Sequence, residues 1–211
     1  HPFWYQISFA LIDSTLVYDC IDYHQGFDNN HNVVKALEEP LIRNSDLVTV
    51  SSEWLYEKVK TIRSSVDIIR NGTDFTHFSQ IPITGGNTGK VTIGYIGAIS
   101  DWFDMELLVS CAEHFDEWNF VLVGSTYGAD LKQAQKCTNI IFEGEQPYEQ
   151  LPKYLNDFDV CIIPFKSNEL TQCTNPVKVY EYLSAGKPVV ATQLPEVMLM
   201  GDMVFSGEGV D

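Results

Sequence analysis

Positive charge is what this chain has least of. Lys and Arg number 13 against 29 Asp and Glu, a formal net charge of −16 at pH 7. A nucleic-acid partner needs clustered Lys and Arg, so that class is set aside, and broad electrostatic docking on anionic lipid with it. Long hydrophobic runs are lacking too: none approaches the roughly 20 residues that span a bilayer. The start carries no signal-peptide pattern. Cysteine is sparse; Cys20, Cys111, Cys137, Cys161 and Cys173 are odd in number, widely spaced and contain no C-x-x-C. They read as small core residues of a protein in a reducing, cytoplasmic setting. There is no G-x-G-x-x-G, P-loop or G-x-S-x-G, and no His/Asp/Glu cluster with metal-ligand spacing. No metal or resident cofactor is expected. The first residue is His1, not Met, which suggests a piece of a longer chain.

What is present is enough to build a core: 45% of residues are apolar and 12% aromatic. Apolar runs alternate with helical spacing, the pattern of an α/β protein with a parallel sheet and helices on both faces. Strands are expected at 15–21, 47–50, 66–69, 91–96, 119–123, 139–142, 159–163 and 188–191, and a short one at 203–205. Helices are expected at 32–43 (broken or kinked at Pro40), 52–63, 104–115, 129–136 and 148–156. Residues 80–89, QIPITGGNTG, are rich in Gly, Pro and polar residues and mark a linker. The expected organisation is an incomplete first domain at 1–80, a linker at 81–90, and a larger second domain at 91–211. Asn71-Gly72-Thr73 matches a glycosylation sequon and is read as a turn.

Residues 175–192, NPVKVYEYLSAGKPVVAT, are the most informative stretch. Asn175 and Pro176 open a helix, Gly186 closes it, and an apolar strand follows. A helix start offers free N–H groups and a positive dipole end, which suits a phosphate. Lys178 lies in the first turn, and Glu181, three residues on, lies on roughly the same face. A cation and a carboxylate there suit a pyrophosphate and a sugar diol, the two parts of a nucleotide sugar. Ligands of open α/β sheets bind at the carboxyl ends of strands. Those ends carry Gly97 in GYIGAIS (94–100), Gly124 in a V-G-S turn, and Gly144 in FEGEQPYEQLP (142–152). In the first domain, LVYDCIDYHQGF (16–27) places Asp22 and His24 after a strand; either could accept a proton from a hydroxyl.

Residues 175–192 resemble the donor-binding helix of glycosyltransferases with the GT-B fold, two Rossmann-like domains. The motif N-P-x-K-x-x-E-Y-L-A-A-G-K-P-V-V belongs to the bacterial polysaccharide type (group 1, or family 4-like). DLVTVSSE (46–53) and RNGTDFTHF (70–78) resemble further steps of that family, and the Y-D-x-x-D of 18–22 occurs in its polysaccharide enzymes. The resemblance implies transfer of a sugar from a nucleotide-diphosphate donor to a glycan, lipid-linked glycan or other hydroxyl acceptor. It implies donor contacts from Gly97, Gly124, Gly144, Gln146, Tyr148, Asn175, Lys178 and Glu181, with Gln146 and Tyr148 flanking the base. Asp22, His24 and Lys178 are the catalytic candidates. Two departures stand out. The family's Arg and Lys after the first glycine turn are replaced by DWFD (101–104), and the first acid of its E-x7-E pair is Cys173. A nucleotide-sugar epimerase of the same fold, or a non-catalytic nucleotide-binding fragment, stays open at this point. The resemblance also allows peripheral association with the inner face of a membrane, through segments outside this sequence.

Overall fold

The computed structural model describes residues 1–8, 10, 11, 13–26, 32–80, 89–207 and 209. The chain forms two compact units. The first comprises His1–Asn71 with Glu169–Asn175, and the second Gly72–Asn168 with Pro176–Asp211. Each has its own core.

In the first unit, three parallel strands lie in the order β1 (Val17–Cys20), β2 (Leu47–Val50), β3 (Asp67–Ile68). Parallel neighbours need crossovers, and the helices Asn32–Asn44 and Glu53–Lys60 provide them. Tyr18, Cys20, Leu41, Ile42, Val48, Val50, Leu55 and Val59 form the core. The helix Asn32–Asn44 runs through Pro40 instead of breaking there. Leu41 and Ile42 after the proline and Val34 before it are all buried, so packing holds both halves of the helix in place. Asn44 Nδ2 also donates to the Pro40 carbonyl at 2.7 Å. Ser52 caps the second helix, its hydroxyl accepting from Leu55 N.

The second unit is a six-stranded parallel sheet: β4 (Thr92–Ile96), β5 (Asn119–Val123), β6 (Ile140–Gly144), β7 (Val160–Ile163), β8 (Val189–Thr192) and β9 (Phe205–Gly207). The spatial order is β6-β5-β4-β7-β8-β9. Counted within the unit this is 3-2-1-4-5-6, the doubly wound Rossmann order, and its switch point lies between β4 and β7. All five residues of β4 are buried, as a central parallel strand requires.

Three local expectations change. Residues 129–136 hold only a 3-10 turn, Ala134–Lys136. Asp130 Oδ1 accepts from Lys132 N, a local bond that competes with helical pairing. Residues 75–79, to which the sequence assigned no element, form the helix Phe75–Ser79, capped by Asp74. Its Phe78 is buried in the second core, so the second unit begins at Gly72, ahead of the expected junction. Of that expected linker, 81–88 lie outside the described residues. Finally, Glu169–Asn175, expected in the second domain, belong to the first unit. Cys173 is part of that unit's core, and its carbonyl accepts from the Ser52 hydroxyl at 2.6 Å.

Candidate functional site

At the carboxyl ends of β4, β5 and β6 three glycines stand side by side. Gly97 N donates to the Val123 carbonyl at 2.8 Å, and Gly124 N donates to the Gly144 carbonyl at 2.8 Å. All three have positive φ (145°, 148° and 71°). A side chain on Gly124 would start 2.0 Å from the Gly97 carbonyl oxygen, and one on Gly97 would start 1.9 Å from Lys178 Cε. The glycines therefore make a floor of bare backbone beside the switch point of the sheet.

Lys178 crosses that floor. It comes from the helix Val177–Ser184, whose N-cap residue, Pro176, makes no side-chain cap. Its stem lies over Gly97, and Nζ sits 5.8 Å from the centre of the Tyr95 ring. Burial lowers the lysine pKa, and Glu181 opposes that shift. One turn on, burial raises the Glu181 carboxyl, while Lys178 and His77 pull it down. Sequence spacing had paired Lys178 with Glu181; the third member, His77, was read there only as part of a crossover motif. Its ring stacks on Tyr148 with centroids 4.3 Å apart and planes 9° apart, and Nε2 lies 3.1 Å from the Tyr148 carbonyl. Tyr148 remains about half exposed, at 46%. Gln146 Nε2 donates to the Glu143 carbonyl at 2.9 Å and so shapes its own loop.

One tyrosine and one lysine of the same motif turn out to be scaffold. Tyr182 is fully buried and its hydroxyl accepts from Ile96 N at 2.8 Å, holding the end of β4 beside Gly97. Lys187 Nζ donates to the carbonyls of Asn156 and Phe158. Asn175 is given another task than ligand contact. It is buried in the first unit; its Oδ1 accepts from Asn71 N at 3.0 Å and its carbonyl from Asn71 Nδ2 at 2.6 Å. The same bonds engage the Asn71 side-chain amide nitrogen.

Asp22 and His24 come together after β1 in the first unit, the His24 amide donating to the Asp22 carbonyl at 3.1 Å. Burial raises the Asp22 carboxyl and lowers the His24 imidazole. Asp19 is occupied, accepting from the Thr49 hydroxyl at 2.8 Å. Burial pushes the Cys173 thiol up to about 12, so this residue supplies no charge where an acid was sought. Among the described residues, no group of three His, Cys, Asp or Glu side chains could hold a metal ion, and no helix is long and apolar enough to cross a membrane.

A family model described as glycosyl transferases group 1 matches residues 90–207, the sheet and loops that build this floor. The chain belongs to that family. TuaH of Bacillus subtilis (strain 168), named for a glycosyltransferase role in teichuronic acid biosynthesis, is 30% identical over 225 residues, covering 93% of this chain and 56% of TuaH. The Anabaena protein Alr3699/HepE, solved in complex with UDP and glucose, superposes with a TM-score of 0.71 at 17% identity, over 92% of this chain and 58% of that one. A UDP-forming α,α-trehalose-phosphate synthase from Burkholderia xenovorans gives 0.68 at 10% identity, over 100% and 60%. At such identities the structures establish the GT-B fold alone. The chain spans somewhat more than half the length of these relatives.

Proposed function

We propose that this chain carries the donor-binding part of a glycosyltransferase. The reaction moves a sugar from a nucleotide-diphosphate sugar to an acceptor hydroxyl, in polysaccharide or glycoconjugate synthesis. The observation that carries this reading is the Lys178 ammonium laid over the Gly97 backbone at the switch point of a 3-2-1-4-5-6 sheet. A diphosphate at that point meets a cation, bare backbone and a helix start. All three stabilise the charge that grows on the departing diphosphate. Glu181 accepts the ribose hydroxyls, and Gly144, Gln146 and Tyr148 flank the base. Asp22 or His24, on the first unit, takes the proton of the acceptor hydroxyl. This reading uses no bound metal, because Lys178 and the helix start supply the positive charge. It places the protein in the cytoplasm, at the inner face of a membrane when the acceptor is a lipid-linked glycan.

Calorimetric titration with UDP, GDP and dTDP, repeated on Lys178→Ala and Glu181→Ala, tests it. Saturable binding of one nucleotide is expected, with at least about tenfold loss in each variant, roughly the 1.4 kcal/mol of one charge-assisted contact. Equal affinity in the wild type and both variants would sink the reading.

A further inference from the structure

The first unit holds a buried carboxylate and a buried amine that the reading above does not use. Glu38, 3% exposed, comes from the helix Asn32–Asn44. It accepts from the Tyr18 hydroxyl at 3.1 Å, from Gln25 Nε2 at 3.3 Å, and from the Cys20 thiol at 4.0 Å. Two of those donors lie on β1, and the third lies on the turn that follows it. Lys58, from the helix Glu53–Lys60, has its Nζ buried with no hydrogen-bond partner among the described residues. It lies 3.5 Å from the centre of the Tyr23 ring and 5.5 Å from that of Trp54. A cation over aromatic faces is held by their quadrupoles, more strongly where water is excluded.

These contacts converge on one short segment. Gln25 ties the 3-10 turn His24–Gly26 to Glu38, and Tyr23, immediately before it, lies under Lys58. Burial raises the Tyr23 phenol, and the Glu169 charge adds to that. Asp22 and His24 flank Tyr23 and have no regular strand or helix of four residues to hold them. The geometry points to Glu38 and Lys58 as a positioning pair that clamps the 22–26 segment from two helices and so fixes Asp22 and His24. This rests on the role proposed for those two residues. Neither member touches a ligand; each acts through Gln25 or Tyr23. The charged and titratable groups that act on His24 are Glu38, Asp22 and the amino group of His1, and the His1 ring packs against it. Those acting on Lys58 are Glu38, Cys20, Glu169 and Cys173.

The test is NMR titration of the imidazoles together with amide hydrogen exchange, both on this chain. Glu38→Gln keeps the shape and removes the charge that favours protonated His24. The His24 midpoint should fall by on the order of half a pH unit. The Gly26 amide, bonded to the Tyr23 carbonyl, should lose at least about threefold of its exchange protection. His77 and His114, in the second unit, should not move. Lys58→Met should lower Gly26 protection by a similar factor, and Lys58→Arg should restore it, a rescue that loss of packing alone does not give. An unmoved His24 midpoint with unchanged Gly26 protection in folded Glu38→Gln overturns the proposal. So does Lys58→Arg behaving as Lys58→Met. If Glu38→Gln does not fold, Gln25→Leu cuts the tether and leaves the buried groups in place; unchanged Gly26 protection in it is equally fatal. The nucleotide titration reports on Lys178 and Glu181, both in the second unit, so the two proposals fail separately.

Discussion

The carbonyl oxygen of Gly97 occupies the space where any side chain on Gly124 would begin, 2.0 Å from the ideal Cβ position. Two strand ends are thereby locked backbone to backbone, and Gly124 cannot be exchanged without moving the Gly97 loop.

Gly124→Ala should destabilise the second unit by about 2 kcal/mol or more, because a backbone atom blocks the site and φ is 148°. Gly144→Ala meets nothing within 4 Å and carries only the cost of its φ of 71°, about 1 kcal/mol. Equilibrium urea unfolding of the two variants checks the order; equal losses would show that the contact with Gly97 is not what constrains position 124.

Glu181→Gln should make the chain more stable at pH 7. Burial raises the Glu181 pKa above its ordinary 4.5, so the folded state holds this proton more tightly than the unfolded one. The stability it contributes is whole below pH 4.5 and is lost as pH rises through the folded-state value. The gain from Gln should therefore be present at neutral pH and vanish below pH 4.5. Thermal unfolding from pH 4 to 8 measures it, and a gain that grows on acidification would contradict the burial argument. A residue that costs stability where it is charged is the kind a binding site retains.

Tyr182→Phe should cost roughly 1–3 kcal/mol, since it leaves Ile96 N without its acceptor inside the core. Nucleotide affinity should fall less than in Lys178→Ala, because the hydroxyl shapes β4 and does not face the ligand. Paired unfolding and titration of this variant separate the two effects.

Much of the second unit is legible in the sequence. Its buried parallel strands are short apolar runs bounded by Gly, Pro and Asn; 119–123 is exact and the others fall within one or two residues. The Lys178–Glu181 pair follows from helical spacing alone. The Gly97, Gly124 and Gly144 row is visible as three strand-end glycines, but its stacking depends on a register no local pattern states. His77 stays hidden because its partner Tyr148 is 71 residues away. Glu38 looks like its neighbour Glu39, which is exposed and pairs with Arg43 at 2.7 Å. Only the position of β1 decides which of the two carboxylates is inside. The helix Glu169–Gln172 is a single turn, too short for any periodicity to show.

The row of glycines has a consequence for how donors could be exchanged. A floor of main-chain atoms gives the same welcome to any diphosphate and offers nothing to tune. On the proposed donor reading, choice among nucleobases and sugars sits with the rim, at Gln146, Tyr148, His77 and Glu181. Altered donor preference should accordingly be found by varying those four positions, while the strand ends beneath them are left untouched.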